Sequence, residues 1–244
     1  MRLFSYKNRP FHLGPYPLET LARTDAAPDL STVPPMTPLV FRREDAPVSL
    51  VNAMTEFQAT LDAIRDGLVK RERGVIPEDP QERANHLKSF AYYNDASQAG
   101  VCKLTPEMFL DAPVVNPDVA LLAGDMQTRQ TKTLAAGVDV IMADLKEAMA
   151  RPPSTVNHHT HALAFLHEFP RDPEPDEPGA DWITGCQAER ACLRGAEAQA
   201  IISNYIRLLG WEARGHTRAA SDVDLNKLCV AAGLGEVVDG VLVN

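Results

Sequence analysis

The sequence has no local cysteine pair of the kind that binds zinc or an iron–sulfur cluster. Its four cysteines are Cys102, Cys186, Cys192 and Cys229, and none forms a Cys-x-x-Cys pair. Structural zinc sites and iron–sulfur clusters usually take their ligands from such tight local pairs. The spacing therefore favours four reduced and mostly buried thiols.

Long apolar runs and basic clusters are also missing. No apolar run approaches the ~18 residues needed to span a bilayer, and residues 1–10 contain no apolar leader segment. The net charge of −9 argues against a nucleic-acid interface, because phosphate binding normally needs a basic face. We therefore expect a cytoplasmic protein that binds neither nucleic acid nor a membrane.

Known catalytic and phosphate-binding motifs are missing too, since there is no P-loop, no Gly-x-Gly-x-x-Gly and no Gly-x-Ser-x-Gly. Metal-ligating side chains crowd one region, where His158, His159, His161 and His167 stand close to Glu168. Imidazoles at such spacing can bind zinc, nickel or copper. On a regular element, however, His158 and His159 point apart and only His159 shares a strand face with His161. We predict no metal site and a loop that leads into a strand.

The patterns that are present predict a mixed arrangement of helices and strands. Residues 1–48 are rich in proline and poor in periodicity, which predicts an extended arm. Apolar periodicity and end signals predict helices at 50–68, 80–91, 134–149, 184–209 and 222–232. Shorter apolar runs predict strands near 99–104, 162–166, 212–217 and 241–243. This order is typical of the α+β or α/β class.

Several residues are predicted to mark the helix ends. Thr184 with Gln187 three residues later is a capping-box pattern, so Thr184 is expected to begin the long helix. Gly210 is expected directly after that helix, and Asp222 is expected to cap the last one. The early half of the long helix is rich in alanine and glycine, which allows either close packing or the approach of a flat ligand. Packing is the commoner cause.

Three segments resemble one family of corrinoid enzymes. Residues 86–104 are similar to a helix-to-strand turn of corrinoid-binding reductases, and residues 179–213 to the "Tyr-Ile-Arg-x-Leu-Gly" junction of reductive dehalogenases. Residues 221–236 contain the Ala-Gly-Leu-Gly segment that these enzymes share with epoxyqueuosine reductase. The start, residues 8–15, resembles the soluble catabolic dehalogenases. The order and spacing of these segments make the resemblance specific over about residues 80–244.

The resemblance implies a nitroreductase-like α+β domain over residues 49–244, behind the arm of residues 1–48. For the family it also implies cobalamin held base-off, two iron–sulfur clusters that deliver electrons, and reductive removal of a halogen or an epoxide oxygen. We expect His216, Asp222 and Gly233 to contact the cofactor if cobalamin binds. His216 is also compatible with an ordinary surface histidine.

The chain differs from the family at the positions that supply the catalytic groups. It has no cysteine runs for clusters, the family's acidic position falls on Ala219, and no tyrosine lies between Trp182 and Tyr205. We therefore expect no catalytic residue in this chain, because a transferred proton needs a donor within reach. It resembles a duplicated N-terminal copy of the corrinoid domain that has lost its chemistry.

Three functional hypotheses follow from the resemblance. The first is a non-catalytic module that packs on a cobalamin and iron–sulfur reductase portion, in the same polypeptide or on another subunit, and the domain would be incomplete without that portion. A homodimer is a further partner expectation. The second hypothesis is a cobalamin-binding oxidoreductase domain. The third is a flavin-dependent oxidoreductase, which the missing Arg/Ser phosphate clamp disfavours.

Overall fold

The computed structural model describes residues 28–39, 42–128 and 155–243. Most of the predicted arm and the whole predicted helix at 134–149 lie outside these residues. The helices are α1 (Leu50–Ala63), α2 (Pro80–Tyr93), α3 (Pro117–Thr128), α4 (Ala180–Ile183), α5 (Gln187–Leu208) and α6 (Leu225–Ala231). The strands are β1 (Gln98–Lys103), β2 (Phe109–Val114), β3 (His161–Leu166), β4 (Ser221–Val223), β5 (Glu236–Val238) and β6 (Val241–Val243).

Within the described ranges, the strands form three two-stranded antiparallel sheets. β1 pairs with β3, so that Gln98 lies opposite Leu166, and β2 pairs with β4, so that Phe109 lies opposite Val223. β5 and β6 form a hairpin whose two turn residues have positive φ angles, as a tight hairpin turn requires. Helices and antiparallel strands together confirm the α+β class, whereas the nitroreductase-like arrangement stays a prediction.

The largest apolar cluster lies where α6 packs on β1 and β3. Buried side chains from these elements and their neighbours fill it, with less than a tenth of each exposed: Leu30, Val33, Cys102, Met108, Ala164, Val223, Leu228, Ala232 and Leu234. A second cluster joins α2 and β1 to Ile202 of α5, and a third joins α1 to α5 through Met54 and Leu193. Helix α5 therefore contributes to both the second and the third cluster. Among the described residues, no helix is long and apolar enough to cross a membrane.

Several predicted elements are confirmed with small shifts at their ends. Strands β1, β3 and β6 and helices α2 and α6 lie where the patterns placed them. Gly210 follows α5 with φ 87 and donates its N–H to the carbonyl of Arg207 at 3.0 Å. The left-handed conformation at this position suits glycine and ends the helix as predicted.

Three predictions about element boundaries are wrong. Thr184 does not begin α5; its hydroxyl donates to Ala180 O at 2.8 Å and closes α4, and Cys186 is the residue before α5. Asp224, not Asp222, caps α6 by accepting from the N–H groups of the first turn, because Asp222 is still part of β4. Residues 212–217 do not form a strand but run irregularly towards β4.

The predicted helix at 50–68 is also corrected, because α1 ends at Ala63 and buries a different face. Its apolar stripe points outward in part: Leu50 is 44% exposed and Phe57 is 51% exposed. The buried face is largely polar and includes Asn52, Thr55, Gln58 and Asp62. Burial of these groups is tolerated where they find hydrogen-bond partners. For example, the Asn52 amide donates to Arg43 O at 2.9 Å and accepts from Arg43 N at 2.7 Å.

Gly100 marks the closest approach between β1 and the end of α6. A Cβ atom added there would lie 2.4 Å from the carbonyl oxygen of Ala232, which is backbone and cannot rotate away. We expect Gly100→Ala to lower the free energy of unfolding by about 1–3 kcal/mol, as overpacking of a core does. Urea denaturation would measure this change.

Gly195→Ala is the matched control for that prediction. A Cβ atom at Gly195 in α5 would meet its nearest neighbour, His167, at an ordinary 3.7 Å. Alanine also favours a helix interior over glycine by roughly 0.5–1 kcal/mol. This variant should be as stable as the unmodified protein or more so, and equal stability of Gly100→Ala would contradict the predicted close approach.

Candidate functional site

A buried ionic cluster is centred on the carboxylate of Asp222. Arg65 Nη1 donates to Asp222 Oδ2 at 2.8 Å, and Arg214 Nη1 donates to the same oxygen at 3.2 Å. Arg214 also pairs with Asp66 at 2.5 Å through its second nitrogen. His216 completes the group, because its Nδ1 accepts from the backbone N–H of Asp222 at 3.3 Å. We name these five residues the Asp222 cluster.

Three segments of the chain bring the Asp222 cluster together. Arg65 and Asp66 directly follow α1, Asp222 lies in β4, and the other two residues lie in the irregular segment 211–218. The backbone reinforces this arrangement, since Gly215 N donates to Arg65 O at 3.0 Å. The guanidinium of Arg207 in α5 donates to Arg65 O at 3.3 Å and to Ala213 O at 2.9 Å.

The charges of the cluster set the protonation of its members. Burial disfavours the charged form of Asp222, but the attraction of the guanidinium groups of Arg65 and Arg214 outweighs it and holds the pKa of Asp222 below its usual value. Burial, and then the positive charge of Arg65, lowers the pKa of His216 to about 3. His216 is therefore neutral near pH 7, and because its Nδ1 accepts a hydrogen bond, its proton lies on Nε2.

A second polar group joins α1 to its surroundings through Asp62. The amide of Asn116 donates to one oxygen of Asp62 and the hydroxyl of Thr217 to the other, both at 2.9 Å. Burial nevertheless raises the pKa of Asp62. Burial likewise raises the pKa of Glu189, which accepts from the Thr55 hydroxyl at 2.8 Å. Both carboxyl groups lie between elements and act in packing.

Beside the Asp222 cluster lies a cleft of about 1610 Å³, which we name the α5 cleft. Its lining includes Ala188, Gly195 and Gln199 of α5, together with His159 and His216. Gln199 is only 4% exposed. Among the described residues, neither polar atom of its amide has a hydrogen-bond partner. An unpaired buried amide is costly, which makes Gln199 a candidate contact for a polar group of a ligand.

The structure brings together two of the three residues that we predicted at a cofactor site. His216 lines the α5 cleft and contacts Asp222. Gly233 lies at the end of α6, directly before the cleft-lining Leu234 and Gly235, where it has φ 70 and donates to Val230 O at 3.0 Å. Sequence reasoning missed the roles of Arg65 and Gln199, because no local motif connects residues so far apart in the chain.

The histidine-rich region is a turn that leads into β3, as predicted, but its histidines are grouped differently from those of a regular strand. His159 is close to His158 and not grouped with His161, because a turn precedes β3. Both rings approach Glu212, and the ligand atoms of these three residues all lie within 4.8 Å of one another. Sequence reasoning missed Glu212 because it stands in a different segment, directly after α5.

Comparisons with known proteins identify relatives only among solved structures, since no protein-family profile and no curated protein matches the chain. A reductive dehalogenase described in connection with B12-dependent dehalogenation is similar, with a TM-score of 0.66 and 36% identity. The N-terminally tagged catabolic reductive dehalogenase NpRdhA has a TM-score of 0.65, and its complex with 3-bromo-4-hydroxybenzoic acid 0.64, also at 36% identity. Each match covers 100% of this chain and 28% of the other. The chain thus spans 28% of the length of these relatives.

The lowered pKa of His216 predicts that acid destabilises the protein. In the unfolded chain a histidine titrates near its ordinary pKa of 6.5, whereas folded His216 has a pKa of about 3. Between these values the unfolded state binds more protons, so stability falls as the pH decreases below 6.5, by at most about 1.4 kcal/mol per pH unit for this residue. Urea unfolding at pH 7, 6 and 5 would measure the slope.

His216→Asn should make this pH dependence shallower, because asparagine keeps a hydrogen-bond acceptor for Asp222 N–H but does not titrate. His86→Asn is the control, since the side chain of His86 is 65% exposed on α2. An unchanged slope in His216→Asn would show that burial of His216 does not govern the acid sensitivity.

Proposed function

The chain is reductive dehalogenase-like over its whole length, and from that premise we propose that it is a non-catalytic module of such an enzyme. It packs on the reductase portion that carries cobalamin and iron–sulfur clusters. The observation that carries this proposal is an exposed apolar groove between α1 and α5. The solved relatives support it further, because they contain much more chain than the 28% that this protein matches.

The α1–α5 groove has a volume of about 1110 Å³. Apolar side chains form much of its lining: Phe57, Leu61, Ile64, Leu68, Tyr93 and Ile201. Several are strongly exposed for their type, including Leu68 at 87%, Tyr93 at 54% and Ile201 at 50%. Contiguous exposed apolar surface with a polar rim is typical of protein–protein interfaces, and aromatic anchors commonly dominate their binding energy.

Charged groups at one side of the groove favour a specific, oriented partner. Arg194 pairs with Asp95 at 2.8 Å, and both residues line the groove. This pair is partly exposed, which is typical of an interface rim. The reductase portion is the occupant that we favour over a second copy, because solved relatives contain the additional chain that could cover the groove.

The sequence lacks the cluster cysteines and the acidic residue of the family, which favours a non-catalytic role. The four cysteines stand too far apart in the chain for local cluster motifs. Ala219, at the family's acidic position, is only 2% exposed and offers no proton. A module with this composition contributes binding surface and stability, while electron transfer and protonation belong to the portion on which it packs.

We expect the purified chain to bind the part of NpRdhA that it does not match, and Phe57→Glu with Ile201→Glu to weaken that binding at least tenfold. The reason is that a charge in an apolar contact must be desolvated. Biolayer interferometry would measure the affinity, and light scattering the mass of the complex. Folding should be retained, because both side chains are about half exposed.

Trp182→Glu is the control for this experiment, since Trp182 is 80% exposed and does not line the groove. It should leave binding unchanged. A complex containing two copies of this chain, disrupted by the groove variants, would instead identify a homodimer as the occupant. No complex with either partner would contradict the proposal.

Cobalamin binding in the α5 cleft is the second candidate function. The cleft is roomy, Ala188 and Gly195 leave the face of α5 uncrowded, and the Gln199 amide lacks a partner among the described residues. These features fit a large planar ligand with polar edge groups. When bound, cobalamin would supply a reducible cobalt centre. Gln199 would hold the ligand by hydrogen bonds, and neutral His216 would present its Nε2 proton to the cleft.

Titration with cob(II)alamin, followed by visible absorption, tests this second function. We expect Gln199→Leu to weaken binding by about two- to tenfold, since one neutral hydrogen bond contributes roughly 0.5–1.5 kcal/mol. Gln81→Leu on the exposed side of α2 should have no effect. No spectral change of the unmodified protein at ~50 µM cobalamin would rule out this function while leaving the packing proposal intact.

A further inference from the structure

Three potential metal ligands converge at one edge of the protein. The side chain of His158 contacts the carboxylate of Glu212 through Nε2, and His159 Nε2 lies 3.9 Å from the same oxygen, Oε2. The two imidazole rings meet edge to face, with their centroids 4.7 Å apart. All three ligand atoms lie within 4.8 Å of one another.

The backbone holds both histidines in a fixed turn. His159 N donates to the carbonyl of Val156 at 2.9 Å, and Val156 is only 4% exposed. Immediately after the turn, Thr160 O accepts from Leu104 N at 2.9 Å, so the chain enters the β1–β3 sheet in a defined register. A turn lets two consecutive side chains reach one point, whereas a strand would send them to opposite faces.

Glu212 is held in place from the other side. The neighbouring Trp211 donates its N–H to Ile206 O at 3.2 Å, which completes the end of α5. The guanidinium of Arg73 lies over the Trp211 ring at 5.2 Å. The side chain of Glu212 therefore projects from a backbone segment that is anchored without the histidines.

The chemistry of the three ligands suits zinc. Two borderline imidazole nitrogens with one carboxylate oxygen are a ligand set that zinc takes in proteins, with a fourth position left for water. Tetrahedral zinc places neighbouring ligand atoms roughly 3.4 Å apart, given bonds of about 2.1 Å. The 3.9 Å between His159 Nε2 and Glu212 Oε2 is within a small side-chain rotation of that spacing.

The surroundings permit an ion to reach the site and to stay there. The side chains of His158 and Glu212 are 56% and 60% exposed, while that of His159 is 19% exposed and better fixed. The nearby cation Arg214 is paired with Asp66 and Asp222, which offset its charge. Repulsion of a bound cation by Arg214 is therefore weakened.

We propose that His158, His159 and Glu212 form a zinc site that ties the turn before β3 to the segment after α5. The ion takes one nitrogen from each imidazole and one carboxylate oxygen, and water completes its coordination. Bound zinc links two segments that are otherwise joined here by contacts between exposed side chains. All three ligands also line the α5 cleft, but the zinc site needs neither cobalamin nor packing on a reductase portion in order to form.

The test uses the full chain, purified without a histidine tag and freed of metal by a chelator. Competition with a chromophoric zinc indicator should show one zinc ion per chain with a dissociation constant of about 10 µM or lower. His159→Ala and Glu212→Gln should each weaken binding at least ~tenfold, since even loss of an indirect metal contact has effects of that size. Cobalt(II) in place of zinc should give visible bands typical of four- or five-coordination in the unmodified protein.

His161→Ala is the matched control, because His161 is exposed at the start of β3 and does not belong to the converging set. It should bind zinc like the unmodified protein. Zinc should also raise the melting temperature of the unmodified protein and of His161→Ala but not of His159→Ala, since a ligand stabilises only the state that binds it. Equal zinc affinity in the unmodified protein and Glu212→Gln, or an equal loss in His161→Ala, would overturn the proposal.

Discussion

Asp222 lies between the guanidinium groups of Arg65 and Arg214, and much of the described packing depends on this contact. The carboxylate joins the end of α1 to β4 and to the segment after α5. Desolvation makes such a group stable only when all its members are present, because removing one leaves an uncompensated buried charge. The cluster therefore fixes which segments meet, while burial and then the positive charge of Arg65 lower the pKa of His216 and keep it neutral beside the α5 cleft.

Helix α1 has one polar face that is buried and one apolar side that is partly exposed. Its polar face turns inward, where Asp62 and Thr55 find partners from α5 and from more distant segments. Its apolar side, with Phe57 half exposed, forms one wall of the α1–α5 groove. Met54 of α1 is buried in the contact with α5, whereas Phe57 stays half exposed. This division is consistent with a module that supports a larger enzyme.

The sequence predicted the elements whose signals are local. Gly210 at the end of α5, the apolar run of β3 and the Pro80 start of α2 each depend on a few neighbouring residues, and each was confirmed. The inward face of α1 was predicted wrongly, because its apolar stripe follows the helical period while its polar residues find partners only in the folded chain. Asp222 was wrongly predicted as the cap of α6. Asp224, two residues later, carries the same side chain, and the local pattern does not distinguish the two.

Site residues were predictable to a smaller extent. The resemblance to corrinoid enzymes pointed to His216 and Asp222, which do meet. It could not point to Arg65, Gln199 or Glu212, because their roles arise from contacts between segments that no local pattern connects. The resemblance itself proved informative, since solved reductive dehalogenases are 36% identical over the whole chain.

The sequence separation within the polar core has a consequence for synthesis. Arg65 and Asp222 are 157 positions apart, and Asp62 and Thr217 are 155 apart. At a translation speed of about 5–20 residues per second, these two partners of the α1 region follow it from the ribosome by roughly eight to thirty seconds. During that interval the polar side chains of Asp62 and Arg65 stay hydrated. The inward side of α1 can be fixed only after residues 217–222 have been synthesised.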